Sequence, residues 1–488
     1  MKKTLALFLS LILLLSGISF AAAEEPVTIH VAYMLTMNPA EGRQEVQDAV
    51  NELLAQKGMN IKVEFVCIDF ASWSTQINLM LTDGSIDLFN ACFMPSLSVL
   101  ADNGSLAPMD DLYAQYGQGI LETLDEYIDC ARVDGVLYGA PKLNAFSTAL
   151  MYLMRKDIAD ELGIDPESIT DLNTLTEALK IVKAAYPDMT MISNGNGGAY
   201  MDFSGVDFLG TEDPLGCLIL EEGSTDLTVQ NYYTSDAFKE LLAYGKLWSE
   251  LGFFMKDPLN AQDGSMAYVS NGLAFGSFVS YSDEETTVSV QQKSVGKEIY
   301  ASQVTPQAWA TTNNVSGMTW CVPALSKNQE AAVQFLNELF TDAALSNLVC
   351  NGIENVHYVL TDEGNITFAE GLDPMSTSWP SGMGTFWPNI CITHPWSPDP
   401  ADVYDNWLAS NETCGKSPAL GFTFSAEDVA DEVSACAMVV DKYVSALMLN
   451  IGDTDALYAS FLSELEVSGI DDIIAAKQAQ LDAWAAIQ

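Results

Sequence analysis

The chain of 488 residues is 49% hydrophobic and 18% charged, which is typical of a globular protein and not of a disordered one. A chain of this length exceeds one ordinary core, so we expect two lobes or domains. Its formal net charge of −46 gives a surface that repels phosphate backbones and anionic lipid head groups. We therefore expect neither a nucleic-acid partner nor direct binding to a membrane.

The amino-terminal residues follow the order of a secretory signal peptide. Two lysines precede an apolar run at residues 5–15, and small residues lead to Ala23. We predict that residues 1–23 are cleaved and that the mature chain is exported to the periplasm, the cell envelope or the medium. Ile18 stands where a lipoprotein box would need its cysteine, so we expect no lipid anchor at this place.

The nine cysteines do not form a CxxC pair or a cluster with histidine, which argues against a zinc site. Most of them lie in apolar runs, where a thiol packs as a small hydrophobic group. We predict buried free thiols, with one or two disulfides as the alternative. We expect no metal and no cofactor.

The first predicted elements alternate between strand and helix. Strands are predicted at Val27–Leu35, Ile61–Asp69 and 86–90, and amphipathic helices at 44–57 and 72–81. This order predicts a parallel sheet covered by helices on both faces. Ligands of such sheets bind beyond the carboxyl ends of the strands.

The sequence predicts further helices and a strand in two later segments. Residues 237–251 have the apolar spacing of an amphipathic helix, and a buried strand at 318–325 precedes a second such helix that begins near Gln329. The glycine-rich run 193–200 lacks the lysine and the strand–helix spacing of a phosphate-binding loop, so we do not expect a nucleotide there.

Several motifs occur in a distinctive order along the chain. They are GSLAPMDD at 104–111, YGAP at 138–141, YLMRKD at 152–157, and the strand at 318–325 with its SKNQEAA helix and NGIE turn. Together they resemble the bacterial extracellular solute-binding proteins of family 1, the receptors of ABC importers. The run SPALGFTF at 417–424 and the helical pattern after it resemble a longer branch of the family that handles complex sugars.

The resemblance implies an α/β, two-lobed type II periplasmic-binding-protein fold with interleaved lobes and a hinge of about three crossover segments. The expected first lobe comprises residues 24–147 with 305–322, and the expected second lobe comprises 148–304 with 323–488. The chain is expected to cross between the lobes near 146–149, 304–306 and 321–324.

Candidate ligand-binding residues are aromatic and amide side chains in loops, at strand ends and near the expected crossings, because sugar rings stack on aromatic rings while amides bind hydroxyl groups. Ordinary core packing is the alternative for each, and it is favoured for the tryptophans at 73 and 320. The candidates are Trp73, Asn90, Phe93, Asn144, Phe146, Tyr200, Trp320, Trp379, Trp387 and Trp396.

The resemblance and the supply of aromatic residues predict a monomeric receptor without catalytic activity. It captures a small-molecule ligand, a sugar or an oligosaccharide, and delivers it to the transmembrane subunits of an ABC permease. A peptide, osmolyte or polyamine is the alternative cargo. A secreted carbohydrate-active enzyme is the alternative from another class, because two of the 66 carboxylates could form a glycosidase pair. A surface adhesin is disfavoured by the absence of repeats and of an anchor motif.

Overall fold

The computed structural model describes residues 25–35, 42–194, 205–211, 213–374, 376–379 and 384–487. The predicted signal peptide and Tyr200 lie outside these ranges. No helix in the described ranges is long and apolar enough to cross a membrane.

The strands, numbered in chain order, are β1 Val27–Leu35, β2 Ile61–Asp69, β3 Phe89–Asn90, β4 Arg132–Val133, β5 Val136–Leu137, β6 Gly139–Pro141, β7 Ser147–Arg155, β8 Thr190–Ile192, β9 Val206–Asp207, β10 Leu218–Ile219, β11 Ala274–Tyr281, β12 Ile299–Gln303, β13 Trp309–Ala310, β14 Thr319–Cys321, β15 Tyr358–Leu360, β16 Ile366–Phe368 and β17 Gly415–Lys416.

The α-helices are α1 Arg43–Gln56, α2 Trp73–Asp83, α3 Leu97–Asp102, α4 Asp110–Tyr116, α5 Gln118–Leu124, α6 Lys156–Leu162, α7 Leu172–Ala185, α8 Asp236–Glu250, α9 Ser265–Ser270, α10 Glu284–Val295, α11 Thr312–Ser316, α12 Gln329–Thr341, α13 Ala343–Asn351, α14 Val403–Thr413, α15 Ala430–Met448, α16 Thr454–Val467 and α17 Ile470–Ala485.

The sheet of the first lobe has the strand order β2-β1-β3-β14-β6. Strands β1 and β2 are parallel over their whole length, and Val31 forms a parallel bridge with Leu88 just before β3. Strand β14 is antiparallel to both β3 and β6. The predicted bounds of β1 and β2 are confirmed, whereas the third predicted strand is shortened to Phe89–Asn90. The sheet places the carboxyl ends of β1, β2 and β3 at one edge.

The sheet of the second lobe is built on β7, whose nine residues are nearly all buried. Strands β11, β12 and β13 each pair with β7 in antiparallel fashion, β8 is parallel to β11, and β17 is parallel to β13. The long apolar run of β7 is typical of a strand with both faces covered. The fold is thus the predicted α/β architecture of two lobes.

The hydrophobic cores divide the chain differently from the predicted bounds. Residues 323–488 were predicted to belong to the second lobe, yet α12 and α13 pack in the same core as β1, α1 and α5. The buried face of α12 explains this position, because it covers the first sheet with an almost continuous apolar surface. That face consists of Ala331, Ala332, Val333, Phe335, Leu336, Leu339 and Phe340.

The first connection between the lobes adjoins the expected crossing at 146–149, and the other two differ from the expected ones. The chain passes from β6 to β7 at residues 142–146, and from β13 to β14 through α11. It passes a third time through the segment 391–414, which includes α14. The expected crossing at 304–306 instead joins β12 to β13, which both pair with β7. The expected crossing at 321–324 stays in the first lobe, where Ala324 N–H donates to the Ser105 carbonyl.

Candidate functional site

Two phenylalanines stand exposed beyond the carboxyl ends of β2 and β3, the strands on either side of β1 in the first sheet. Phe70 follows β2 directly and is 51% exposed, and Phe93 lies in the loop after β3 and is 57% exposed. Their ring centroids are 5.1 Å apart in an edge-on arrangement, and Phe93 lies 6.3 Å from the ring of Phe386. Because apolar rings cost free energy in water, an exposed pair at this edge indicates a surface that binds a ligand.

The loop that carries Phe93 is held from below by buried hydrogen bonds. The Asn90 amide donates to the Phe386 carbonyl at 3.0 Å and accepts from Cys92 N–H at 2.9 Å. Trp320 Nε1 also donates to the Phe386 carbonyl, and Trp73 Nε1 donates to the Cys92 carbonyl, both at 3.0 Å. These bonds fix the loop after β3 against the segment at 386, and Phe93 itself has a left-handed φ of 57°.

A cavity of about 160 Å³ lies between this loop and the second lobe. Asn313 of α11 joins its far wall. Its side-chain oxygen Oδ1 accepts from Gly210 N–H at 3.0 Å, and its Nδ2 donates to the Thr211 carbonyl at 3.1 Å. A Cβ at Gly210 would lie 2.8 Å from Phe424 N, so this position requires glycine. The cavity is lined by Ala91, Phe93, Met94, Pro95, Ser96, Leu97, Gly210, Thr312, Asn313, Ser316, Gly317 and Thr423.

The hydroxyl group of Thr423 is buried at this cavity and has no hydrogen-bond partner among the described residues. An unpaired buried hydroxyl costs about 1–3 kcal/mol, which a ligand that supplies the missing bond would recover. The hydroxyl therefore marks a place where a ligand gains free energy on binding.

Among the residues that the structure describes, none that lines the cavity is charged, although the chain carries a formal charge of −46. The described part of this lining thus holds no pair of carboxyl groups for glycoside hydrolysis. The described residues also contain no group of three or more His, Cys, Asp or Glu side chains placed to hold a metal. All nine cysteines are free, and burial raises the pKa of Cys92, below the loop, to about 12, so it stays a thiol at neutral pH.

The family follows from comparison with known proteins. A family model described as "Bacterial extracellular solute-binding protein" matches residues 39–345, more than half of the chain. The chain belongs to this family. A second model, described as a domain of unknown function (DUF3502), matches residues 418–486 of this solute-binding protein.

Relatives in sequence and structure cover nearly the whole chain. A carbohydrate ABC transporter substrate-binding protein of Streptococcus pneumoniae serotype 4 is 21% identical over 86% of this chain and 85% of its own. The N-glycan transport solute-binding protein NgtS of S. pneumoniae superposes with a TM-score of 0.80 and 21% identity, covering 94% of this chain and 98% of that one. Its complex with Man5GlcNAc gives a TM-score of 0.69 at 20% identity, with coverages of 95% and 99%.

A solute-binding protein from Bifidobacterium longum infantis, described as associated with an ABC transporter and binding HMO, has the same fold. Its TM-score is 0.63 at 15% identity, and the match covers 94% of this chain and 99% of that one. At such identities the superpositions establish the two-lobed α/β fold of a solute-binding protein.

Of the predicted site residues in the described ranges, Phe93 lines the cavity. Asn90, Trp73 and Trp320 lie directly beneath it at 1–2% exposure, and their polar atoms hold the two loops. Ligand contact by Phe93 stays a prediction. In this solute-binding protein the other three act as supports for the loop that carries it.

The three tryptophans of the proline-rich segment are buried. Trp387 stacks between Tyr33 and Trp320, with ring centroids 5.0 Å and 5.4 Å away, and Trp379 stacks on Tyr33 at 5.1 Å. Trp396 donates its Nε1–H to Asn351 at 2.9 Å. Their exposures of 0–4% leave no ring face open to the cleft in this structure, which differs from the expectation for loop aromatics.

Asn144 and Phe146 lie at the first connection between the lobes. The Asn144 carbonyl accepts from the Asn411 amide at 2.7 Å, and Phe146 N–H donates to the same side chain at 2.8 Å. Phe146 is 1% exposed and packs 4.6 Å from the ring of Tyr127. Both residues therefore tie this connection to α14 in the hinge.

Three residues of the site were missed from the sequence. Phe70 directly follows β2, so the strand-end rule that selected Phe93 would also have selected it. Thr423 lies in the SPALGFTF segment, which signalled a branch of the family but no particular contact. Asn313 lies in a short helix of the second connection, for which the sequence carried no signal.

Proposed function

We propose that this chain is the extracytoplasmic receptor of an ABC importer, and that it captures an oligosaccharide between its two lobes and delivers it to a membrane permease. Membership of the solute-binding family supports the receptor role. The glycan ligands of the pneumococcal structures and the carbohydrate transporter description of the pneumococcal relative support the cargo.

The observation that carries the proposal is the exposed pair Phe70 and Phe93 beside a cavity between the lobes whose described lining residues are uncharged. The apolar face of a sugar ring suits such aromatic rings. Its hydroxyl groups suit the amide of Asn313 and the hydroxyls of Ser316 and Thr423, which line the same cavity. A cationic or anionic cargo would find no opposite charge among the described residues of this lining.

Ligand capture couples to closure of the lobes through linkage. Phe93 belongs to the first lobe, Thr423 to the second and Asn313 to a connection between them, so one ligand contacts all three parts. A ligand that binds both walls favours the closed form by its difference in affinity for the two forms. The permease then recognises the closed form and accepts the cargo without a chemical step.

Export follows the amino-terminal signal. Cleavage after residue 23 releases a mature monomer, and Ile18 in the removed segment offers no cysteine for lipid attachment. The transmembrane subunits of the permease are the partner of this mature chain.

Thermal unfolding of the mature chain against a panel tests the proposal. The panel holds Man1GlcNAc, Man5GlcNAc, human milk oligosaccharides, a peptide mixture, glycine betaine and spermidine. A glycan at 100 times its Kd should stabilise the native form by about 2.7 kcal/mol, and chromatography should recover it intact. Stabilisation by the peptide, betaine or spermidine alone would contradict the cargo, and a cleaved glycan would contradict the receptor role.

A further inference from the structure

A second groove between the lobes has a volume of about 320 Å³ and shares Thr423 with the cavity described above. One wall is the β4–β5 hairpin of the first lobe, and the other is formed by residues 421–423 and α17 of the second lobe. The groove is lined by Arg132, Asp134, Gly135, Gly421, Phe422, Thr423, Gln480, Ala483, Trp484 and Ile487.

The second wall of this groove is aromatic. Trp484 is half-buried, and its ring meets that of Phe422 edge-on at a centroid distance of 5.8 Å. Its Nε1–H has no hydrogen-bond partner within the ranges that the structure describes. An indole that is apolar on its face and has a free donor at its edge is suited to a sugar ring that carries hydroxyl groups.

The first wall offers fixed polar groups. Arg132 Nε donates to Asp129 at 2.6 Å, while its Nη1 donates to Asp110 at 2.8 Å and to the Gly135 carbonyl at 3.0 Å. These bonds orient the guanidinium group and leave its Nη2 without a bond to any described residue. The exposed carboxylate of Asp134 stands beside it in the groove. Hydroxyl groups of a sugar can accept from the guanidinium and donate to the carboxylate.

The sizes of the two spaces indicate how they relate. The first cavity, at about 160 Å³, is smaller than the roughly 300–1,000 Å³ of ordinary ligand sites, and the groove falls within that range. Both spaces have one wall from each lobe, and both are lined by Thr423, whose buried hydroxyl has no partner among the described residues. An oligosaccharide that enters the first cavity can continue past Thr423 into the groove.

We propose that this groove is an outer subsite that holds a further neutral hexose unit of the cargo, with its ring on Trp484 and its hydroxyl groups on Arg132 and Asp134. The proposal rests on the proposed function, since it assigns the groove to the same cargo. It also gives the segment 418–486, matched by the domain of unknown function, a role as the second-lobe wall of the binding cleft.

Calorimetric titration of the mature chain with a short and a long glycan tests the subsite. The probes are Man1GlcNAc and Man5GlcNAc, and the variants are Trp484→Ala and Trp484→Phe, with Val467→Ala on the exposed face of α16 as the matched control. We expect Trp484→Ala to weaken Man5GlcNAc binding at least tenfold and to leave Man1GlcNAc binding within twofold. Trp484→Phe should restore most of the loss, because it keeps an aromatic face, and Val467→Ala should change neither affinity.

The outcomes separate the subsite from the receptor role. Equal affinities of Trp484→Ala and wild type for Man5GlcNAc would overturn the subsite and leave the receptor proposal intact. Equal losses for both glycans would also overturn it, since Trp484 would then act on the whole site. Binding of neither glycan by the wild type would overturn the subsite as stated, while the thermal panel decides the receptor role independently.

Discussion

Lys477 of α17 has no exposed surface, and its ammonium group is enclosed by oxygen atoms. Its Nζ donates to the carbonyls of Phe208 and Gly216 at 2.6 Å and to Thr211 at 2.7 Å. Three acceptors use all three N–H groups of a charged amine. Asp207, which is also fully buried, stands near this charge and helps to hold it. Lys477 thus fixes α17 to the loop that contains Gly210, which lines the first cavity.

Lys477→Met keeps most of the side-chain volume and removes the charge. The variant leaves two buried carbonyls unpaired and Asp207 without its cation. Removing one partner of such a buried arrangement costs about 3–5 kcal/mol. The lowered pKa of Lys477 offsets part of this loss at pH 7, because burying the protonated amine costs wild type free energy that methionine does not cost. We therefore expect the free energy of unfolding of the variant to fall by less than this amount at pH 7 and to approach it at pH 9.

The stability that Lys477 confers on the folded chain should rise with pH. Burial lowers the pKa of Lys477 from 10.5 to about 7. Between these values the unfolded chain keeps a proton that the folded chain has released, so the stability that Lys477 confers rises with pH. The rise is about 1.4 kcal/mol per pH unit, and the methionine variant lacks it. The difference in stability between wild type and variant should therefore widen by about 2–3 kcal/mol from pH 7 to pH 9.

Urea titrations at pH 7, 8 and 9, followed by tryptophan fluorescence, measure this difference. Lys442→Met is the matched control, because Lys442 lies on the surface beside Glu464, and its pKa is raised by hydrogen bonds to Glu464 and Tyr443. It stays protonated across this range, so its curves should run parallel to wild type. If the difference in free energy of unfolding between wild type and Lys477→Met stays constant or narrows as the pH rises, the pKa of Lys477 is not lowered in the folded chain.

Three further substitutions test the site and its support. Phe93→Ala removes a ring of which more than half is exposed. A sugar that covers one face of this ring buries roughly 50–60 Å², which at 25 cal/mol per Å² contributes about 1.4 kcal/mol to binding. Calorimetry should therefore find that the variant binds the glycan about tenfold more weakly, with an unchanged melting temperature. Tyr113→Phe should raise the free energy of unfolding by about 1 kcal/mol in urea titrations, because its buried hydroxyl has no partner among the described residues. Trp387→Ala should lower it by about 3–5 kcal/mol, because it empties the stack between Tyr33 and Trp320.

Each of these results has an opposite that counts against the account. Unchanged glycan affinity of Phe93→Ala would remove Phe93 from the site. A loss of stability in Tyr113→Phe would mean that the hydroxyl has a partner in solution. A loss below 1 kcal/mol in Trp387→Ala would mean that the stack is not part of the core.

Regular periodicity is the part of the sequence that predicted structure well. Strands β1 and β2 were predicted with their observed bounds, because their apolar residues recur with a clear pattern. Helix α12 was predicted as an amphipathic helix beginning near Gln329, as the structure has it, but its lobe was predicted wrongly. An amphipathic pattern indicates that a helix covers a hydrophobic core but not which core it covers. The lobe of α12 is set by its tertiary contacts with α5.

Irregular segments were harder for a physical reason. Trp379 and Trp387 were expected in the cleft because they lie among prolines and glycines, without a helical or strand period. The backbone there is irregular, yet it covers the first sheet and turns both rings onto Tyr33. The spacing of apolar residues indicates which side chains are buried only in regular helices and strands. Phe93 was found by another rule, its place after a strand end, and that rule applies equally to Phe70.

Small-angle X-ray scattering of the mature chain, with and without a saturating glycan from the panel, tests directly whether the two lobes close on the glycan. A glycan that contacts Phe93 on one lobe and Thr423 on the other draws the lobes together, so the radius of gyration should fall on binding. The same titration with Phe93→Ala should need about tenfold more glycan for the same fall. A glycan that raises the melting temperature and leaves the radius of gyration unchanged would contradict capture between the lobes.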